Sequence, residues 1–283
     1  MTPLYVDLFV EFLRLLLLTV ILFSVTWYVG KNINNWSIID FVWSYSFALC
    51  AGVYLITLWS ELTPPVIVLL LCAALWSIRL GTHLAQRTLS EIEREDVRYQ
   101  KMRDDWAEDA SFFMFRFYVF QALAFTFLCL PFIASIVEAR SLPSETQIKM
   151  GFIHWAGLGL VIFALLFETI ADRQLKTFKA NPANQGKVCD QGLWAWTRHP
   201  NYFGEWLVWM GFALLSYNTT FYVIPGLICA GTMLYLLTKV TGIPMTEERL
   251  IASRGQSYRD YQNRVSAFWP RPPKAKKVNG QDC

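Results

Sequence analysis

The chain has little charge. Asp, Glu, Lys and Arg make up 17% of its 283 residues, against 54% hydrophobic residues and a net charge of only +3. That balance excludes a solvated, disordered chain and points away from an ordinary soluble domain. Nothing in it suggests a nucleic-acid partner. Histidine is scarce: His83, His154 and His199 lie far apart, and no metal centre is expected. The six cysteines, Cys50, Cys72, Cys129, Cys189, Cys229 and Cys283, form no CxxC pair, which excludes a zinc ribbon or a disulfide framework. Strand-like alternation is missing, so helices are the remaining way to satisfy a backbone in lipid. No glycine-rich G-x-G-x-x-G follows a strand, and no P-loop occurs. No basic segment precedes the first apolar run, where Asp7 and Glu11 stand instead. That run is therefore expected to stay as a membrane helix rather than to be a leader. Internal repeats and a second soluble domain are also missing.

What is abundant is apolar and aromatic. There are 21 Phe and 12 Trp, a supply suited to lipid-facing surfaces, interface belts and apolar pockets. A helix crosses a bilayer core with about 20 residues. Apolar runs of that order extend from about Leu8 to Gly30, Trp36 to Trp59, Pro65 to Leu84, Phe112 to Val137 and Gly151 to Ala171, then from Tyr202 to Ser216 and Phe221 to Val240. The Tyr202 run is short, with Glu205 near its start. The expectation is an all-α integral membrane protein of about seven transmembrane helices. Lys and Arg concentrate in alternate loops: Lys31, the segment from Arg87 to Arg103, the segment from Arg173 to Arg198, and everything from Lys239 onward. Arg140 and Lys149 alone fall in the others. The positive-inside rule then places the N-terminus out and the C-terminus in the cytoplasm. One membrane domain over 1–270 and a disordered tail over 271–283 are expected.

Four groups of residues stand out. Gly192 to Trp206, "GLWAWTRHPNYFGEW", gathers Arg198, His199, Asn201, Tyr202 and Glu205 where the sixth run begins. Pro200 suits a first helical turn, and Asn201 and Glu205 share a face four residues apart. On spacing alone, a capped helix with interface aromatics and a snorkelling arginine explains the segment equally well. Glu168 and Asp172 are likewise four apart, followed by Arg173, Lys176 and Lys179. These cations suit phosphates, and the positive-inside bias accounts for them too. Asp40, Arg79 and Arg116 are ionisable residues within apolar runs, which usually face a cavity or a partner. Acidic, Tyr and Arg residues recur from Met245 to Pro273.

The run "GLWAWTRHPNYFGEWLVWMGFALLS" resembles the C-terminal region of the steroid 5-alpha-reductase superfamily. "WSIRLGTHLAQR", "EDVRYQKMR", "FETIADRQLKTFK" and "YRDYQNRVSAFWPRPP" extend the resemblance over most of the chain after Trp36. It implies a seven-helix membrane enzyme that uses NADPH to reduce a carbon–carbon double bond conjugated to a ketone. By this resemblance Asp172, Lys179, Arg198, Asn201, Tyr202 and Glu205 contact the cofactor. Lys179 replaces a phosphate-facing Arg, and Glu168 stands where steroid reductases tend to have Asn. At the substrate end Asp40 stands for a Glu, and Trp76 for a Tyr that polarises the ketone. Trp donates a hydrogen bond but cannot protonate, so Asp40 is the expected acid and an enone lipid the expected substrate. Membrane lipid is the other expected partner, with no obligate protein partner, and the membrane is the endoplasmic reticulum or the bacterial inner membrane. A second resemblance, through Gly192, Arg198, His199, Pro200, Tyr202, Gly204, Glu247 and Glu248, is to isoprenylcysteine carboxyl methyltransferases, which use S-adenosylmethionine. A transporter or scaffold is the third reading.

Overall fold

The computed structural model describes residues 4–143, 148–217 and 220–274. Most of the tail expected over 271–283 lies outside the described residues. Helices α1 (Leu4–Asn32), α2 (Ile39–Thr57), α3 (Pro64–Ser90), α4 (Val97–Trp106), α5 (Ala110–Leu128) and α6 (Leu130–Ser141) are followed by α7 (Phe152–Ala180), α8 (Pro200–Leu215), α9 (Thr220–Tyr235), α10 (Ile243–Arg254) and α11 (Gln256–Arg264). Among the described residues there is no strand, only an isolated bridge between Thr197 and Ser266. Among the described residues, six helical stretches are long and apolar enough to cross a membrane. The chain is a multi-pass membrane protein.

One difference from the sequence expectation has a local cause. The run from Phe112 to Val137 is not one helix: it breaks at Cys129 into α5 and α6. Pro131 has no N–H to continue the ladder, and the carbonyl of Phe127, the acceptor it would have used, takes a 3.5 Å contact from the Cys229 thiol. The run at Tyr202 is α8, of 16 residues. At 1.5 Å per residue it rises about 24 Å, short of the roughly 30 Å hydrocarbon core.

The chain divides into two compact units, Met1–Leu158 with Phe212–Cys229, and Gly159–Gly211 with Ala230–Cys283. In the first, α2 packs along α3 and α1 along α5 and α6. Apolar burial cannot drive helices together in lipid, so close backbone approach and interhelical hydrogen bonds carry the packing. Ser77 provides both between α2 and α3: its hydroxyl accepts from the Ala48 N–H at 2.8 Å and donates to the Ser44 carbonyl at 2.5 Å. A Cβ on Gly81 would lie 2.8 Å from the Tyr45 ring, so α3 comes as close to α2 as glycine allows. Thr19 and Thr126 join α1 to α5 at 3.1 Å. An aromatic cluster fills the interior, with Phe47 edge-on to Trp76 at 5.1 Å, Phe125 at 4.4 Å from Phe47, and Phe212 at 5.9 Å from Trp76.

In the second unit, the loop after α7 makes two short 3-10 turns, Pro182–Asn184 and Gly192–Ala195. The extended segment after α11 binds back onto this loop. The Arg198 N–H donates to the Ser266 carbonyl at 2.8 Å, and the Arg271 N–H donates to the Trp196 carbonyl at 3.0 Å. The Thr197 hydroxyl donates to the Phe268 carbonyl at 2.9 Å. A π-helical turn, Leu236–Val240, separates α9 from α10.

Candidate functional site

The second unit contains a cleft of about 370 Å³, a volume typical of small-molecule sites. Four expected cofactor contacts line it: Lys179 from the end of α7, Arg198 from the loop, and Asn201 and Tyr202 from the first turn of α8. Lys187, Trp194, His199, Thr246, Arg254, Tyr258 and Tyr261 line it too, and no acidic residue does among the described residues. Asp172 and Glu205 are not among its lining residues. Asp172 sits on α7 one turn after Glu168, and Glu205 on α8 accepts from the Trp209 indole at 3.0 Å. Glu168 is 2% exposed. A Cβ on Gly204 would come within 2.4 Å of its Cγ, so glycine lets α8 settle on that carboxylate-bearing turn of α7.

Glu247 on α10 organises the wall of the cleft. Its carboxylate accepts from Arg198 twice, Nε at 2.6 Å and Nη2 at 3.1 Å, the bidentate fork that Lys cannot form. It also takes the His199 imidazole Nε2 at 3.0 Å, the Gln262 amide at 2.7 Å and the Tyr258 hydroxyl at 3.3 Å. The remaining Arg198 nitrogen donates to the carbonyls of Gln262 and Val265 at 3.1 and 2.6 Å. Arg198 thus ties the loop, α10 and α11 together, and much of its charge is neutralised behind the cleft. His199 stacks flat on Tyr202, ring centres 5.2 Å apart, and the Tyr202 hydroxyl meets Thr246 at 2.9 Å. Burial pushes the His199 pKa down, against the opposing pull of Glu247, whose carboxylate lies 3.0 Å from Nε2.

Lys179, Lys187 and Arg254 are the cations of the cleft besides Arg198. The Cys189 thiol borders the cleft as well, with its pKa raised by burial. It is therefore no ready nucleophile. A second, polar cleft of about 600 Å³ shares Phe178, Asn184 and Cys189 with the first and adds Arg173, Gln174 and Gln191.

The two residues expected at the substrate end lie in the first unit. Trp76 on α3 has 0% exposure and belongs to the aromatic cluster. Asp40, in the first turn of α2, accepts from the Tyr99 hydroxyl at 2.7 Å and from Arg98 at 2.5 Å. The tyrosine–acid pair of this unit is therefore Asp40 with Tyr99, and the sequence reading had not identified Tyr99. Asp96 caps α4 by accepting the Arg98 N–H at 2.9 Å, a standard role for Asp at that position. It also pairs with Arg87. Burial raises the Asp96 carboxyl, but the hydrogen bonds and charge of Arg98 and the charge of Arg87 outweigh it and hold the group down at about 2. Glu95 accepts the Trp36 N–H at 2.7 Å and pairs with Arg103 at 3.0 Å, whose guanidinium lies 4.0 Å above the Trp36 ring.

The family described as "Protein of unknown function (DUF1295)" matches residues 26–265. An uncharacterized protein of Schizosaccharomyces pombe is 26% identical over 280 residues, covering 90% of this chain and 78% of that one. The Probable O-methyltransferase ustE of Ustilaginoidea virens is 42% identical over 60 residues, 20% of this chain and 21% of that one. No solved structure matches the chain.

Proposed function

We propose that this chain, which belongs to the DUF1295 family, is an NADPH-dependent membrane reductase of the steroid 5-alpha-reductase type acting on a lipid-soluble enone. One observation carries the reading: the cleft that gathers Lys179, Arg198, Asn201 and Tyr202 also presents Lys187 and Arg254 and has no acidic lining. Cations without lining acids suit a ligand rich in phosphate. The residues present fit NADPH in charge and in ring-stacking surface, the latter from Tyr202, Tyr258, Tyr261 and Trp194. Lys179, Lys187 and Arg254 would meet its phosphates, and Asn201 its amide or hydroxyl groups. When bound, NADPH supplies a hydride.

The chain's own contribution at the substrate end is proton placement. Asp40 accepts from Arg98 and from the Tyr99 hydroxyl, and so orients that hydroxyl. In this arrangement Tyr99 is the group that holds a proton, and Asp40 fixes its direction rather than serving as the acid itself. The proposed topology keeps the N-terminus out and the C-terminus in the cytoplasm, on the strength of the Lys and Arg distribution.

A methyltransferase is the second reading. The similarity to the Probable O-methyltransferase favours it, as does the meeting of Arg198 and His199 on Glu247. S-adenosylmethionine carries a sulfonium cation and no phosphate, which suits an acid-free cationic cleft less well. The test is thermal unfolding of the detergent-solubilised protein with NADPH or S-adenosylmethionine, since a ligand bound by the folded state raises its stability. Stabilisation by NADPH that is lost in Lys179→Glu supports the reductase. Stabilisation by S-adenosylmethionine alone replaces it with the methyltransferase.

A further inference from the structure

Trp43 lies on α2, three residues after Asp40 and therefore on the same side of the helix. Its indole nitrogen is sealed from solvent and has no hydrogen-bond partner among the described residues. Buried donors are almost always paired, because an unpaired one forfeits the hydrogen bond it made with water. The neighbouring polar groups have their acceptors already. Ser44 donates to the Asp40 carbonyl at 2.8 Å, and Ser46 to the Val42 carbonyl at 2.7 Å. Both Asp40 oxygens are taken by Tyr99 and Arg98.

The Trp36 indole nitrogen also lacks a partner, but that ring has a structural task. The ring lies beneath Arg103, the residue's backbone N–H donates to Glu95, and its backbone carbonyl accepts the Tyr118 hydroxyl at 2.5 Å, all in a residue only 2% exposed. Trp43 has no such clamp. Its ring stands edge-on to Phe47 at 5.0 Å and to Phe125 at 6.2 Å, and the residue is only partly buried. One neutral donor on an aromatic bed selects a neutral acceptor carried by an apolar molecule. A phosphate or carboxylate would call for a cation there.

We propose that Trp43 is a substrate-positioning residue whose indole N–H binds the carbonyl oxygen of a lipid-soluble ketone, with Phe47 and Phe125 as the apolar surface beneath it. This rests on the reductase reading for the ligand being an enone; the unpartnered donor itself does not depend on that reading.

Trp43→Phe keeps an aromatic ring and deletes the donor. The probes are cholest-4-en-3-one and the oxygen-free cholest-4-ene, bound to the full chain in detergent. The wild type is expected to prefer the ketone by about tenfold, the order of one net hydrogen bond. Trp43→Phe is expected to erase that preference and leave cholest-4-ene binding unchanged. No ketone preference in the wild type overturns the proposal. So does a preference that survives in Trp43→Phe. If Trp43→Phe does not fold, the indole N–H NMR signal of Trp43 in the wild type decides: a downfield shift with the ketone and none with cholest-4-ene supports the contact, and no shift overturns it. NADPH stabilisation is read in the same samples. Its absence removes the reductase reading while a ketone preference that depends on Trp43 stands.

Discussion

Both units hold a carboxylate in the grip of an arginine and a tyrosine, and they differ in what surrounds the trio. Around Asp40 three arginines are paired with acids: Arg98 has Asp40 and Asp96, Arg87 has Asp96, and Arg103 has Glu95. Such a network neutralises itself and fastens the segment before α4 to the start of α2. Around Glu247 the acid lies behind the wall, and the cleft in front is left with Lys179, Lys187 and Arg254 and no lining carboxylate. Similar residue types thus make a closed clamp in one place and an open cationic recess in the other. The balance of acids to bases, rather than the presence of charge in a membrane protein, separates structure from binding.

The sharpest way to break the comparison is Glu247→Ala. It leaves the Arg198 fork, His199, Gln262 and Tyr258 without their common acceptor. Removing one partner of a buried pair costs about 3–5 kcal/mol, so chemical denaturation in detergent should show a loss of that order. Arg98→Ala should cost less, about 1–3 kcal/mol by the same measurement, because this arginine is a third exposed. Equal losses would mean that the two clusters are equally structural. Next in size, Lys179→Ala and Arg254→Ala should each weaken NADPH binding by about tenfold, or roughly 1.4 kcal/mol. Stability without ligand should stay within about 0.5 kcal/mol, as for surface changes elsewhere. Fluorescence titration of NADPH checks the first part, and a parallel melt checks the second.

The smallest effect is one of pH. Folding lowers the His199 pKa below its ordinary 6.5. The unfolded chain then binds more protons than the native one as the pH drops below about 6.5, and stability falls with the pH. The groups facing this imidazole are Glu247, Tyr202 and Arg198. In His199→Gln this part of the decline between pH 7 and 5 should disappear. A wild type and variant with parallel stability curves over that range would show that His199 does not titrate there.

The membrane spans were largely legible because a helix in lipid needs a run of apolar residues, and such runs survive in one dimension. The boundary at Cys129 was also on view, in Pro131, but hydropathy averages across a proline. The charged segment from Arg87 to Asp109, with both signs mixed, reads as an amphipathic or solvated helix. α4 confirms part of that, and Asp96 supplies its cap. Within the site, Lys179, Arg198, Asn201 and Tyr202 could be grouped only through the family resemblance, since spacing put three of them within five residues but left Lys179 to the positive-inside bias. Tyr99 could not be paired with Asp40 from spacing, since 59 residues separate them. Tyr258 and Tyr261 are three apart on α11, which hinted at a shared face, and nothing in the sequence said that this face borders the cleft. Glu247 stood out only as part of a motif. Its five donors come from Arg198, His199, Tyr258 and Gln262, residues that converge only after the chain folds back.

That fold-back has a consequence for how the protein is made. The loop bearing Arg198 finds backbone partners in Ser266 and Arg271, and the guanidinium needs the carbonyls of Gln262 and Val265. These residues follow the last candidate membrane span and so leave the ribosome after it. The recess is therefore completed after the membrane helices have been inserted, and a chain cut short before residue 265 would be inserted yet unable to hold a ligand there. Occupancy of the cleft would then report that translation had run through that point.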